Sequence, residues 1–160
     1  MTVVLGDHNI VQWKNLERYE VVRKFKKSFA DVLKGDDIML LKLGREAVLG
    51  GKVRTVNIAD KRHRVRRSTK CLVAGWGKTK RAGKVYELLA LNVSTVDIRE
   101  CRKAWTKADG DSGGPLVCDS VAVGIVSFVK TCNYPDVPNI YTDLSKYSSW
   151  IKEMMNKRET

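Results

Sequence analysis

The sequence is short of histidine, of acid and of long apolar runs, and each shortage excludes something. The 160 residues hold two histidines, His8 and His63, and four cysteines, Cys71, Cys101, Cys118 and Cys132. No two cysteines stand in a C-x-x-C pair and neither histidine is near them in sequence. That spacing offers no metal-site pattern, and no metal or other cofactor is expected. No apolar run approaches the length needed to span a membrane. Met1 to Ile10 has no basic n-region, and its apolar stretch, Thr2 to Leu5, is too short for a signal peptide. A secreted protein with this sequence would need its targeting segment elsewhere. No RNA-binding signature and no zinc-finger spacing occurs, so nucleic acid is not an expected partner.

Against 18 acidic residues stand 30 basic ones, a net charge of +12. Such an excess favours polyanions, among them anionic membrane surfaces and sulfated glycosaminoglycans. The densest cluster is Lys61, Arg62, Arg64, Arg66 and Arg67, with His63 among them. It reads as a solvated loop or as a polyanion-binding patch. A hydrophobic share of 43% over 160 residues is enough for one domain with a core, so disorder is not expected.

One stretch carries chemistry: Gly110-Asp111-Ser112-Gly113-Gly114-Pro115-Leu116-Val117-Cys118. Its glycines allow backbone conformations closed to other residues and let a ligand approach the main chain. A turn that aims N–H groups at one point can hold an oxyanion beside a serine nucleophile. These nine residues resemble the nucleophile loop of the trypsin/chymotrypsin-type (peptidase family S1) serine proteases. The resemblance implies an all-β fold, a trypsin-like double Greek-key β-barrel with a C-terminal α-helix, and a serine endopeptidase activity. Residues 1–160 are expected to form one such domain. Residues 1–60 would hold part of the first barrel, 61–143 the second barrel and 144–157 the helix.

The rest of the chain extends the resemblance. Val3-Val4-Leu5-Gly6, with His8-Asn9-Ile10, is similar to a stretch of granzymes and mast-cell proteases that follows the catalytic histidine. His8 is therefore read as a turn residue. Tyr19 to Phe25 reads as a strand. Asp37-Ile38-Met39-Leu40-Leu41-Lys42-Leu43 resembles the family's strand whose aspartate orients the catalytic histidine, which makes Asp37 the matching acid. Val53 to Ile58 alternates like a strand. Cys71 to Gly77 resembles the opening of the second barrel, and Lys78 to Lys84 reads as a basic hairpin loop. Tyr86 to Ile98 reads as one long strand, with a glycosylation sequon at Asn92. Cys101 to Trp105 resembles a short helix. Val121 to Val126 reads as a buried strand. Leu144 to Lys157 shows helical spacing, with Asp143 as its N-terminal cap.

By resemblance Ser112 is the nucleophile, Asp37 the orienting acid, and the N–H groups of Gly110 and Ser112 the oxyanion hole. Asp111 matches the acid that pairs with a newly cut N-terminus. Ser127, Phe128 and Val129 resemble the strand that binds substrate backbone, and Asn139 lies in the pocket wall. Val129 and Asn139 stand where glycine is common, which implies a narrowed pocket. Cys71–Cys118 is the disulfide that the resemblance supports.

The sequence also departs from the family. No Thr-Ala-Ala-His-Cys-like segment precedes Asp37, so the catalytic histidine is missing from these residues. No Ile-Val-Gly-Gly-type activation site occurs, which leaves Asp111 without its partner. The segment between Cys101 and Ala108 is shorter than in the family, and Ala108 replaces a cysteine. Cys101 and Cys132 are then either free or paired with each other. The expected function is that of a serine endopeptidase of the secretory pathway or its granules, acting on peptide or protein, with this chain itself inactive. The alternative is a non-catalytic module that binds sulfated glycosaminoglycan or a protein partner. Open strands of an incomplete first barrel should favour association.

Overall fold

The structure is a computed structural model and describes residues 1–11, 16–27, 37–76, 85–104, 113–128 and 138–157. Three strands, β1 (Thr2–Val4), β2 (Arg18–Lys26) and β3 (Met39–Leu43), form an antiparallel sheet in that order. Tyr19 anchors it at 1% exposure. The Arg45 guanidinium lies 4.1 Å over the Tyr19 ring and bonds Glu17 at 2.7 Å. The Val48 N–H donates to the Tyr19 hydroxyl. A buried tyrosine thus keeps its polar end satisfied. The pairing of β2 with β3 shifts between Val21 and Arg23, and the residue between them, Val22, is exposed. One extra residue in a strand does this, and it bends the edge.

The second sheet contains β4 (Asn57–Ile58), β5 (Lys70–Gly75), β6 (Leu89–Ser94), β7 (Pro115–Cys118), β8 (Val121–Phe128) and β9 (Ile140–Asp143). Its order is β4-β8-β7-β5-β6, and β9 also pairs with β8. Only the β4–β8 contact is parallel among the described residues. Asp119 and Ser120 turn β7 into β8 with φ of 49° and 63°. Positive φ at both central residues suits the right-handed twist of a two-residue hairpin.

Two apolar clusters sit on β8. Val123 packs with Ala59, Leu116 and the Cys71–Cys118 disulfide, which ties β5 to β7. Ala122 packs with Ile38, Leu144, Tyr147 and Ile151. The second cluster joins the start of β3 to the C-terminal segment, so both sheets meet there. A further link runs through the turn after β1, whose His8 carbonyl accepts from Leu88 N–H and Trp76 Nε1.

The architecture is all-β with a C-terminal helix, and neither sheet closes on itself among the described residues. Several elements differ in extent from the sequence reading. The strand expected over Val53 to Ile58 is only Asn57–Ile58. The strand expected from Tyr86 to Ile98 is confined to Leu89–Ser94, apart from a single bridge between Asn9 and Glu87. Asp97 ends it: its carboxylate accepts from Arg99 N–H and its carbonyl from Cys101 N–H. Helix α1 (Ile98–Ala104) therefore starts three residues before the expected Cys101. The C-terminal segment is a 3₁₀ turn, Leu144–Tyr147, followed by α2 (Ser148–Asn156). Asp143 caps the 3₁₀ turn, accepting from both Ser145 N–H and Ser145 Oγ.

The cystines of β5 and β7 are 47 residues apart in sequence. Closing a loop of that length removes about 4 kcal/mol of chain entropy from the unfolded state. A Cys71→Ala/Cys118→Ala variant should lose stability on that order in urea unfolding. A variant as stable as the parent would contradict this.

Candidate active site

Asp37 lies at the start of the segment leading into β3, directly before buried Ile38. Its Oδ2 accepts a 2.9 Å hydrogen bond from Ser127 Oγ. Its carbonyl oxygen accepts a 3.1 Å bond from Thr142 Oγ1. Ser127 and Thr142 belong to β8 and β9 and are 5% and 3% exposed. Two hydroxyls buried in apolar strands thus find their acceptors on one residue of the segment that leads into the other sheet. A half-buried carboxylate needs such donors, because an unpaired one is costly to desolvate.

Gly110, Asp111, Ser112 and Val129 lie outside the described residues, as do Ala108, Cys132 and the Lys78 to Lys84 loop. The residues that follow Ser112 are described. Gly113 N–H donates to the Val126 carbonyl and Val126 N–H to the Gly114 carbonyl, both at 2.8 Å. Gly113 has φ of +122°, and a Cβ on Gly114 would come within 2.7 Å of the Ala74 carbonyl. Glycine is therefore required at both positions. The chain leaving Ser112 is pinned to β8 one residue before Ser127, and Ser127 holds Asp37.

Phe128 closes β8, where its backbone is opposite Ile140 of β9. Asn139 precedes β9, and its Oδ1 is buried without a hydrogen-bond partner. Asn92 is exposed on β6. Cys101 is a free, half-buried thiol, and burial pushes its pKa up. His8 is exposed and His63 is half-buried in the turn after Asp60. Among the described residues neither histidine bonds to Asp37.

Sequence reasoning treated Ser127 as a substrate-strand residue and gave Thr142 no link to Asp37. Their roles as partners of Asp37 were missed. The available signal was a polar residue inside each of two apolar strands, which implies a buried acceptor but not its identity.

Lys61, Arg62, Arg64, Arg66 and Arg67 are all exposed. The Asp60 carboxylate organises their turn, accepting from Arg62 and His63 N–H. These bonds, Arg62's first, hold the Asp60 pKa below its ordinary value. Arg64 folds back, with its Nη1 donating to the Lys61 and His63 carbonyls. A cavity of about 710 Å³ is bordered by Lys61, His63, Arg64, Asp143 and Lys146.

A sequence model of the trypsin family matches residues 1–151. Trypsin-4 of Rattus norvegicus is 33% identical, with 97% of this chain and 71% of the relative covered. Granzyme-like protein 1 of the same species is 34% identical, with 98% and 71% covered. The solved structure of neuropsin, a serine protease expressed in the limbic system of mouse brain, superposes with a TM-score of 0.82. It is 28% identical and covers 97% of this chain and 79% of its own. The chain belongs to the trypsin family of serine proteases. Its match to trypsin-4 runs over 181 positions, more than the 160 residues of the chain, so parts of trypsin-4 have no counterpart here.

Two outcomes are expected. Thr142→Val keeps the shape but removes the donor to the Asp37 carbonyl. It should cost about 1–3 kcal/mol in urea unfolding, as for a buried acceptor left unmet; an unchanged midpoint would contradict the bond. The depressed pKa of Asp60 makes its turn pH-dependent. The stabilisation is complete above the ordinary aspartate value, about 3.9, and is lost as pH falls through the lower folded value. Amide exchange at Arg62 and His63 should therefore accelerate in acid beyond the intrinsic trend. Protection that stays constant as the carboxylate is protonated would contradict this.

Proposed function

We propose that the chain is a serine-endopeptidase scaffold of the trypsin family that carries the nucleophile and the orienting acid but performs little or no turnover by itself. In this reading Ser112 is the nucleophile, Asp37 the acid, Gly110 and Ser112 the oxyanion donors, and Asp111 the activation acid. Ser127, Phe128, Val129 and Asn139 face the substrate, a peptide or protein. The supporting observation is the convergence on β8. Asp37 is bonded to Ser127, and the glycines after Ser112 are bonded to the adjacent Val126.

A serine hydroxyl needs a base within hydrogen-bond reach, and the base needs an acid that fixes its tautomer. These roles are taken over from the family. Neither His8 nor His63 is bonded to Asp37 among the described residues, and the Asp37 Oδ2 is occupied by Ser127 Oγ. An acid and a nucleophile without the base leave only residual catalysis. The compartment proposed is secretory, because the Cys71–Cys118 disulfide persists best in an oxidising environment.

Hydrolysis of a peptide ester by the purified chain should match that of its Ser112→Ala variant within about twofold, since the step Ser112 would contribute needs the base. Turnover abolished by Ser112→Ala would overturn the claim of inactivity. No labelling of Ser112 by a fluorophosphonate is expected either.

A second reading is favoured by one observation, the exposure of all five basic residues between Lys61 and Arg67 beside Lys146. In it the chain is a non-catalytic module that holds sulfated glycosaminoglycan on this face. An Arg62→Glu/Arg66→Glu/Arg67→Glu variant should leave a heparin column at distinctly lower salt than the parent. Equal elution would place retention on basic residues outside this cluster and remove this reading.

A further inference from the structure

The basic cluster contains a spacing that its charge alone does not explain. The pattern Arg-x-Lys/Arg-Arg occurs once in the sequence, at Arg64-Val65-Arg66-Arg67, and Ser68 follows it. Arg99 and Arg102 repeat the outer spacing, but Cys101 precedes Arg102 and both arginines lie in helix α1. An endopeptidase binds its substrate as an added strand and reads the side chains in separate pockets. A helix must unwind to be read in this way. Residues 63–66 belong to neither helix nor strand, and residues 61–68 are exposed except for half-buried His63. Exposed loops of this kind are where chains are nicked.

The bend around Arg67 and Ser68 is tied down chiefly by Thr95, which directly follows β6. The Thr95 carbonyl accepts from Ser68 N–H at 2.7 Å. Its Oγ1 donates to the Arg66 carbonyl at 2.6 Å and accepts from Thr69 N–H at 3.0 Å. Ser68 has a φ of 59°, in the left-handed region that is unfavourable for a residue with a Cβ. Thr95 thus holds the bend against the backbone preference of Ser68. Release from Thr95 lets Ser68 relax towards the extended form that a protease cleft accepts. The Arg64 Nη1 rests on the Lys61 and His63 carbonyls, at an exposed position where a carboxylate can replace them.

We propose that the Arg67–Ser68 bond is a processing site for an endopeptidase with acidic subsites, which would pair with Arg67, Arg66 and Arg64. Water adds across the bond, leaving a carboxylate on Arg67 and an amine on Ser68. The encounter rests on the secretory compartment proposed above but requires neither Ser112 nor a bound polyanion. The cut divides β1–β4 from β5–β9 and both helices. None of the four cysteines precedes Arg67, so no disulfide within these residues ties the two pieces. They are joined by the Asp37 bonds to Ser127 and Thr142, by Ile38 and Ala59 in their apolar clusters, and by β4 beside β8. The cut chain therefore stays together as a noncovalent pair.

The test treats the purified full chain, under native conditions, with a subtilisin-type proprotein convertase of Arg-x-Lys/Arg-Arg specificity. Gels and N-terminal sequencing read the result. The expected product is one early cut with the new N-terminus Ser68-Thr69-Lys70-Cys71. Arg64→Gln and Arg67→Gln should each slow it at least about tenfold, because each removes a guanidinium that a carboxylate subsite would pair with. Both arginines are exposed, so these variants should keep the parent melting temperature. Arg54→Gln, at an exposed arginine outside the cluster, should leave the rate within about twofold. Thr95→Val should speed the cut severalfold, because the bend opens more often. The cut chain should run as one peak in native gel filtration and as two fragments in detergent gels without reductant. No cut after Arg67, a parent rate for Arg64→Gln, or an unchanged rate for Thr95→Val would overturn the proposal. Pieces that separate in native gel filtration would overturn the noncovalent pair.

Discussion

The structure depends on how one carboxylate is held between two sheets. Asp37 reaches from the segment before β3 to Ser127 on β8 through its side chain, and to Thr142 on β9 through its carbonyl. The next residue, Ile38, is buried among Ala122, Leu144, Tyr147 and Ile151. Polar registration and apolar burial thus act on adjacent residues. Burial of Ile38 contributes about 1.5–3 kcal/mol without specifying direction. The Ser127 bond to the Asp37 carboxylate adds a similar amount only when the strands are in register, since a hydrogen bond to a charged group is worth about 1.5–3 kcal/mol. Burial brings the sheets together, and the carboxylate fixes how they meet.

In the proposed reading, this latch would hold the site together without turnover. Ser127 satisfies the oxygen of Asp37 by itself, so the acid does not need a histidine to stay in place. Gly113 and Gly114 hold the exit of the nucleophile loop on Val126 through backbone bonds that are indifferent to chemistry. The scaffold is maintained by contacts separate from the step it would perform.

The sequence showed much of this, and its limits have physical causes. The apolar run Val121 to Val126 and the motif around Asp37 were legible because hydrophobic pattern and local glycine chemistry are written in adjacent residues. β8 and β3 formed accordingly. Ser127 and Thr142 were not legible as partners of Asp37, since that pairing spans 90 and 105 residues. The strands over Val53–Ile58 and Tyr86–Ile98 were read too long. Alternation alone does not create a neighbour to pair with, and Asp97 redirects the chain into a helix.

The central claim is that Asp37 and Ser127 form one interaction on which the joining of the two sheets depends. A double-mutant cycle over Asp37→Ala and Ser127→Ala, read by urea unfolding at neutral pH, tests it most directly. A coupling energy of about 1.5–3 kcal/mol is expected, with the double variant less destabilised than the two single variants combined. Additive effects within about 0.5 kcal/mol would show that the two residues act independently, and would contradict the account.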